Sequence, residues 1–197
     1  MNVYRFDTAE ATSIEELDDM LDDLHTWSGK SAPAPPPYEI ITTPEGLEDM
    51  LDRAGEIAAL DFEGWNFFCR LAQICNDNVW AVIDFGPEDG HNWFYDVAHW
   101  FEEHAWIAFN SKHEKRVFAR YDAYPTVWDV ANLRRAIRGG GHMSLKQLVG
   151  WELTDDDGDP IVLDKAEQAS DWNRGELSRS QLDYAADDAK WTWAVWK

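Results

Sequence analysis

The segment IAALDFEG ends an apolar run, Ile57 to Leu60, with Asp61 and Glu63. If the run is a strand, residues i and i+2 point to one face with Cα atoms about 6.6 Å apart. Two carboxylates so placed can share one hard divalent cation. Taken alone, an Asp-x-Glu pair also fits a strand end that turns into solvent. A second constellation stands near the C-terminus, where Ser178 and Gln181 form an S-x-x-Q capping box and predict a helix start. Tyr184 and Asp188 then fall at i and i+4, a phenol and a carboxylate stacked on one helix face.

The elements that must position these groups follow from hydrophobic periodicity and turn chemistry. YEII (38–41) reads as a strand, and a helix over 44–54 has Thr43 as its cap, Pro44 at its first position and Gly55 beyond its end. Strands follow at 57–62, 70–75 and 79–84, the last two joined by the turn-prone NDN. The pattern then alternates: a helix near 92–103, a strand at 106–109, a helix near 111–121, a strand near 126–128, and helices from 129 onward. A meander followed by alternating units predicts an α/β class with a mixed sheet flanked by helices. Ahead of this domain (38–197), Ile14, Leu17, Leu21 and Leu24 recur at helical spacing in an acidic segment, and SAPAPPP (31–37) forms a stiff spacer. Residues 1–37 therefore read as an acidic helix extension.

Composition narrows the function. The 197 residues, 45% hydrophobic with 12 Trp, suffice for one packed domain. No apolar run approaches the roughly 18 residues of a membrane helix. The opening MNVYRFDTAEAT lacks a signal-peptide core, which predicts a soluble, cytoplasmic protein without a membrane partner. Cys69 and Cys75 read as reduced packing thiols. The net charge of −21 argues against a general polyanion-binding surface. Residues 112–146 are the exception, with eight basic against three acidic side chains; a strand-tracking groove and solvated helix faces both fit them.

D-F-E at 61–63 together with Y-A-A-D-D at 184–188 is similar, in order and spacing, to the tyrosine-containing branch of the DEDD superfamily of 3′–5′ exonucleases. The stretch VLDKAEQASDWNRGELSRSQLDYAADDA (162–189) resembles the third-motif region of RNase D and of family-A DNA polymerase proofreading domains along nearly its whole length. RLAQI after the first motif, WIAFNSKHEKRVF (106–118) as the second, VWDV (127–130) and SLKQLV (144–149) also resemble their counterparts, so the likeness covers residues 38–196. At one position the chain departs: Glu114 stands where the family carries an aspartate.

The resemblance implies a ribonuclease-H-like fold and a two-metal-ion phosphodiester hydrolase using Mg²⁺ or Mn²⁺. By the same likeness Asp61 bridges both ions, Glu63 and Asp188 complete the shell of one, Glu114 holds the other through water, and Tyr184 orients the attacking water. Asn110, Lys112 and Lys165 become candidate substrate-binding residues; a solvated helix face for Lys112 and loop anchoring for Lys165 fit equally well. Trp172 is expected to pack the start of the last helix, and Trp191, Trp193 and Trp196 to pack the core. Gly139–Gly141 reads as a flexible connection and TDDDGD (154–159), which misses the EF-hand pattern, as an acidic turn. The expected substrates are single-stranded DNA or RNA 3′ ends. DNA is favoured by the polymerase-like DWNRGELSRSQLDYAADDA and by a chain that ends directly after the last helix. Two alternatives are an RNase-D-like exoribonuclease and a degenerate exonuclease fold that binds nucleic acid or protein without cutting. The acidic N-terminal helix is a docking element for which a polymerase or other replication protein is the candidate partner.

Overall fold

The computed structural model describes residues 38–87, 92–139 and 141–197; the predicted helix over 14–24 and the spacer at 31–37 lie outside the described residues. The described strands β1 (Glu39–Ile41), β2 (Ile57–Glu63), β3 (Leu71–Cys75), β4 (Trp80–Asp84), β5 (Ala105–Ala108) and β6 (Thr126–Asp129) make one sheet in the order β1-β4-β3-β2-β5-β6. The meander β2-β3-β4 is antiparallel, whereas β1 joins β4, β5 joins β2 and β6 joins β5 in parallel. Helices α1 (Pro44–Ala54), α2 (Phe94–Val97), α3 (Lys112–Arg120), α4 (Val130–Arg138), α5 (Leu145–Glu152) and α6 (Arg179–Trp196) flank it. The predicted α/β class and mixed sheet are both present.

Helix ends follow local chemistry. The Thr43 hydroxyl accepts from the Gly46 N–H at 3.2 Å, Pro44 opens α1, and Gly55 leaves it with φ 69°. At α6 the Ser178–Gln181 box closes reciprocally. The single helix expected over 92–103 is instead the four-residue α2 followed by a 3-10 helix, Ala98–Glu103. Asn92 delays the start by donating to the carbonyls of Cys69 and Gly86, both at 2.9 Å, while accepting from Phe94 N–H. Aromatic residues of low helix propensity then bury Phe94, Val97 and Phe101 in one cluster, which a tighter helix serves.

Period-two alternation on β2 divides the core. Ala58, Leu60 and Phe62 join the larger cluster, with Leu47 and Met50 of α1, Phe94, Phe101 and Phe118. The other face is covered by α4, α5 and α6, with Ile107, Val130, Leu148, Val149 and Val195 in one cluster and Leu71, Val82, Ala185 and Ala186 in the next. Arg70, nearly fully buried, ties this architecture to the segment before α6: its guanidinium pairs with Asp84 at 2.8 Å and donates to the carbonyls of Arg174 and Gly175. Trp172, 6% exposed, packs with Tyr184 as expected.

The basic segment is divided between an inward residue that neither reading of it foresaw and an exposed helix face. Arg134 is buried, pairs with Glu152 at 2.9 Å and donates to the Val195 carbonyl, so it packs α4 against α5 and α6. Lys112, Lys115, Arg116 and Arg120 are exposed along α3. The acidic turn satisfies itself, with Asp155 accepting from the N–H groups of Asp157 and Asp159. Both cysteines are free and buried. Among the described residues no helix is long and apolar enough to cross a membrane.

Candidate active site

Phe62 sets the position of the two carboxylates that flank it. Its ring meets Phe118 at 5.0 Å and Phe94 at 5.6 Å, both edge-on, and such pairs contribute about 0.5–1.5 kcal/mol each beyond burial. With Phe62 locked into one face, Asp61 and Glu63 must project from the other. There α6 lies against the sheet through Ala185, Ala186 and Ala189, all fully buried, whose small side chains permit close approach. Asp188, one turn beyond Ala185, is thereby delivered to β2. Carboxylate oxygens of Asp61, Glu63 and Asp188 lie within 4.8 Å of one another.

Lys165, from the segment preceding α6, reaches into this group. Its Nζ donates to Asp188 Oδ1 at 2.6 Å and to Tyr184 Oη at 3.2 Å, and stands 4.9 Å above the Tyr184 ring. The carboxylates are poorly solvated and repel one another. Burial, followed by the charge of Asp188, pushes Asp61 up to about 8, while Lys165 opposes the shift. Glu63 is raised well above the usual carboxylate range by burial and by Asp61 and Asp188. Burial and the neighbouring acids also raise the Tyr184 phenol, which stays protonated and able to donate.

Glu114 lies in the first turn of α3, 2% exposed, outside the group of three mutually close carboxylates. Its Oε2 has no hydrogen-bond partner. Burial and then the Asp61 charge raise its carboxyl, so it belongs to the same electrostatic cluster. Asn110, in the left-handed region at φ 62°, and Lys112 are both exposed at the entrance to α3.

An all-oxygen donor set with a buried, unpartnered carboxylate oxygen beside it suits a hard divalent cation. The sequence profile of the 3′–5′ exonuclease family matches residues 38–197. The chain belongs to this family. DNA polymerase I of Aquifex aeolicus (strain VF5) is 27% identical over 154 residues, which is 77% of this chain but 25% of the polymerase. This exonuclease therefore spans about a quarter of that relative. The fold is also that of the Nibbler EXO domain of Aedes aegypti (TM-score 0.61, 18% identity, 81% of this chain and 85% of the other). Escherichia coli RNase D, an exoribonuclease involved in structured RNA processing, is similarly close (TM-score 0.62, 21% identity, 79% of this chain and 42% of the other).

Two positions of the exonuclease escaped sequence reasoning. Asp129 caps α4 through Asn132 N–H and, with its other oxygen, accepts from Ser111 N–H at 2.9 Å and Ser111 Oγ at 3.1 Å. It thereby fixes the start of α3 and with it Glu114. An aspartate ahead of a helical run is the signal that could have found the cap; the second contact crosses from β6 to another element and left no local trace. Gly64 is the other. A Cβ there would lie 1.8 Å from the Phe68 carbonyl oxygen, because the chain doubles back to donate Arg70 N–H to Glu63 O at 2.9 Å. Gly64→Ala is expected to cost about 2–4 kcal/mol, as overpacking against rigid backbone does, and to lower cleavage about 10²-fold by shifting Glu63. Urea unfolding and single-turnover rates check both; no change in either would mean that the loop yields freely.

Proposed function

We propose that this 3′–5′ exonuclease releases nucleoside 5′-monophosphates from single-stranded 3′ ends, with DNA preferred over RNA, by two-metal-ion hydrolysis. The single observation that carries the hydrolysis is the convergence of Asp61, Glu63 and Asp188 within 4.8 Å, with Tyr184 one helical turn from Asp188; the preference for DNA is supported by the 27% identity to DNA polymerase I. Asp61, Glu63 and Asp188 are the residues that would hold one ion, with Asp61 shared and Glu114 serving the second. Mg²⁺ or Mn²⁺, when bound, supplies the Lewis acidity that activates water and offsets charge on the leaving oxygen.

The protein groups supply position. Tyr184 donates its phenolic hydrogen bond toward the attacking water and the scissile phosphate. Lys165, next to both Tyr184 and Asp188, balances the carboxylates and contributes a cation to a phosphate oxygen of the bound strand. Exposed Lys112, Lys115, Arg116 and Arg120 give α3 a basic edge for the backbone of a single strand, while the acidic remainder repels long polyanions. Trp65, 71% exposed and two residues from Glu63, offers a face on which a base can stack.

A time course with 5′-labelled DNA and RNA oligonucleotides of one sequence, in Mg²⁺, Mn²⁺ or EDTA, tests the proposal. A metal-dependent ladder shortening from the 3′ end, faster on DNA, is expected. A faster RNA ladder would move the substrate to the side of RNase D, and no ladder from folded protein would leave a binding module. Tyr184→Phe is expected to lower kcat about 10–10²-fold with KM little changed, since the lost hydrogen bond matters most in the transition state. A KM effect of that size instead would make Tyr184 a substrate-binding group.

A further inference from the structure

We propose that Gln73 is a positioning residue for Asp61, its carboxamide holding that carboxylate through one bridging water in the orientation that receives divalent ions. The proposal rests on the metal-dependent function above. Gln73 on β3 is the cross-strand partner of Asp61 on β2. It is fully buried, and neither its Nε2 nor its Oε1 has a hydrogen-bond partner.

Directly opposed residues of an antiparallel pair share a face, with Cβ atoms about 4.5–5.5 Å apart. The neighbours of Gln73 along β3, Ala72 and Ile74, belong to the larger core on the opposite face, so Gln73 stands with Asp61 on the face covered by α6. Its surroundings there are largely apolar: Val82 is its partner on β4, and Val82 belongs to the cluster of Leu71, Trp172, Ala185 and Ala186. A primary amide brings two donors and an acceptor oxygen, and leaving all of them unmade in such a place is worse than an apolar side chain of equal size. Glu63 faces Leu71 across the strands, but Asp61 faces Gln73. A carboxylate offers about four lone-pair sites, so Asp61 has room for a further donor. A water held by the amide and donating to the outer lone pair of Asp61 would fix the carboxylate plane as the groups behind metal ligands commonly do.

The test is Gln73→Met in the full chain, which keeps size and removes both polar atoms. Mn²⁺ binding is measured by electron paramagnetic resonance of the free ion and by thermal shift, beside cleavage. The expected result is a variant at least as heat-stable as wild type in EDTA, with Mn²⁺ half-saturation raised about tenfold or more and kcat lowered at unchanged KM for the oligonucleotide. Gln73→Leu repeats the measurement should the methionine variant fail to fold. Unchanged Mn²⁺ binding in the folded variant, beside clear binding by wild type, overturns the role of Gln73 alone. Absence of Mn²⁺ binding by wild type overturns the metal-dependent function and this inference with it.

Discussion

Asp61→Asn and Asp188→Asn are each expected to leave a folded protein whose cleavage has fallen by roughly 10³-fold or more, the scale set by removing a preorganised electrostatic group from a transition state. Each substitution keeps the shape of the side chain and takes one charge from a cluster whose oxygens lie within 4.8 Å. Neither should unfold the domain, because each relieves like-charge repulsion: burial and Asp188 together hold Asp61 far above its ordinary value. In Asp188→Asn the Lys165 ammonium loses its ion pair at 2.6 Å, which sets a modest cost against that relief. Oligonucleotide time courses beside thermal melts in EDTA separate the two effects. Cleavage near the wild-type rate in either folded variant would take the carboxylate cluster out of the chemistry.

Without metal, stability should decline as pH rises from about 4 toward 8. Asp61 moves from an ordinary 3.8 to about 8, and Glu63 and Glu114 move the same way. A folded-state value raised above the unfolded one means that the native protein holds protons which the unfolded chain has released. The resulting stabilisation is complete below the unfolded value and is lost as pH passes the folded one. Saturating Mg²⁺ or Mn²⁺ should reverse this trend, since the ions bind the deprotonated carboxylates and release those protons. At a hundredfold excess over Kd the gain is about 2.7 kcal/mol, roughly 5–10 °C in Tm for a domain of this size. Thermal melts across pH, with EDTA or with metal, provide the check. A flat EDTA profile, or metal-independent Tm at pH 8, would show that the carboxylates neither repel one another nor bind ions.

Much of the fold was legible because its elements announce themselves locally. The meander, α1 with Thr43 and Gly55, and α6 with its Ser178–Gln181 box each rest on residues close in the chain. The break at 98 did not show, because Asn92 anchors to Cys69 and Gly86 and the aromatic cluster assembles from distant segments. The basic segment was ambiguous for the same reason. Only the fold sends Arg134 inward to Glu152 and leaves Lys112, Lys115, Arg116 and Arg120 outside.

By itself the sequence determined that Asp61 and Glu63 share one strand face and that Tyr184 and Asp188 share one helix face, since periods of 2 and 3.6 are properties of the backbone. Tertiary structure alone decided that these two faces meet. Small residues at Ala185, Ala186 and Ala189 let α6 come close to β2, and Arg70 fixes the chain ahead of it. Lys165 then falls on Asp188, Asp129 holds the start of α3 so that Glu114 stays buried beside Asp61, and Gln73, opposite Asp61 across the strands, is fully buried. Periodicity reports torsions repeated along one segment, whereas the approach of separate segments is set by side-chain volumes and hydrogen bonds that no single segment contains.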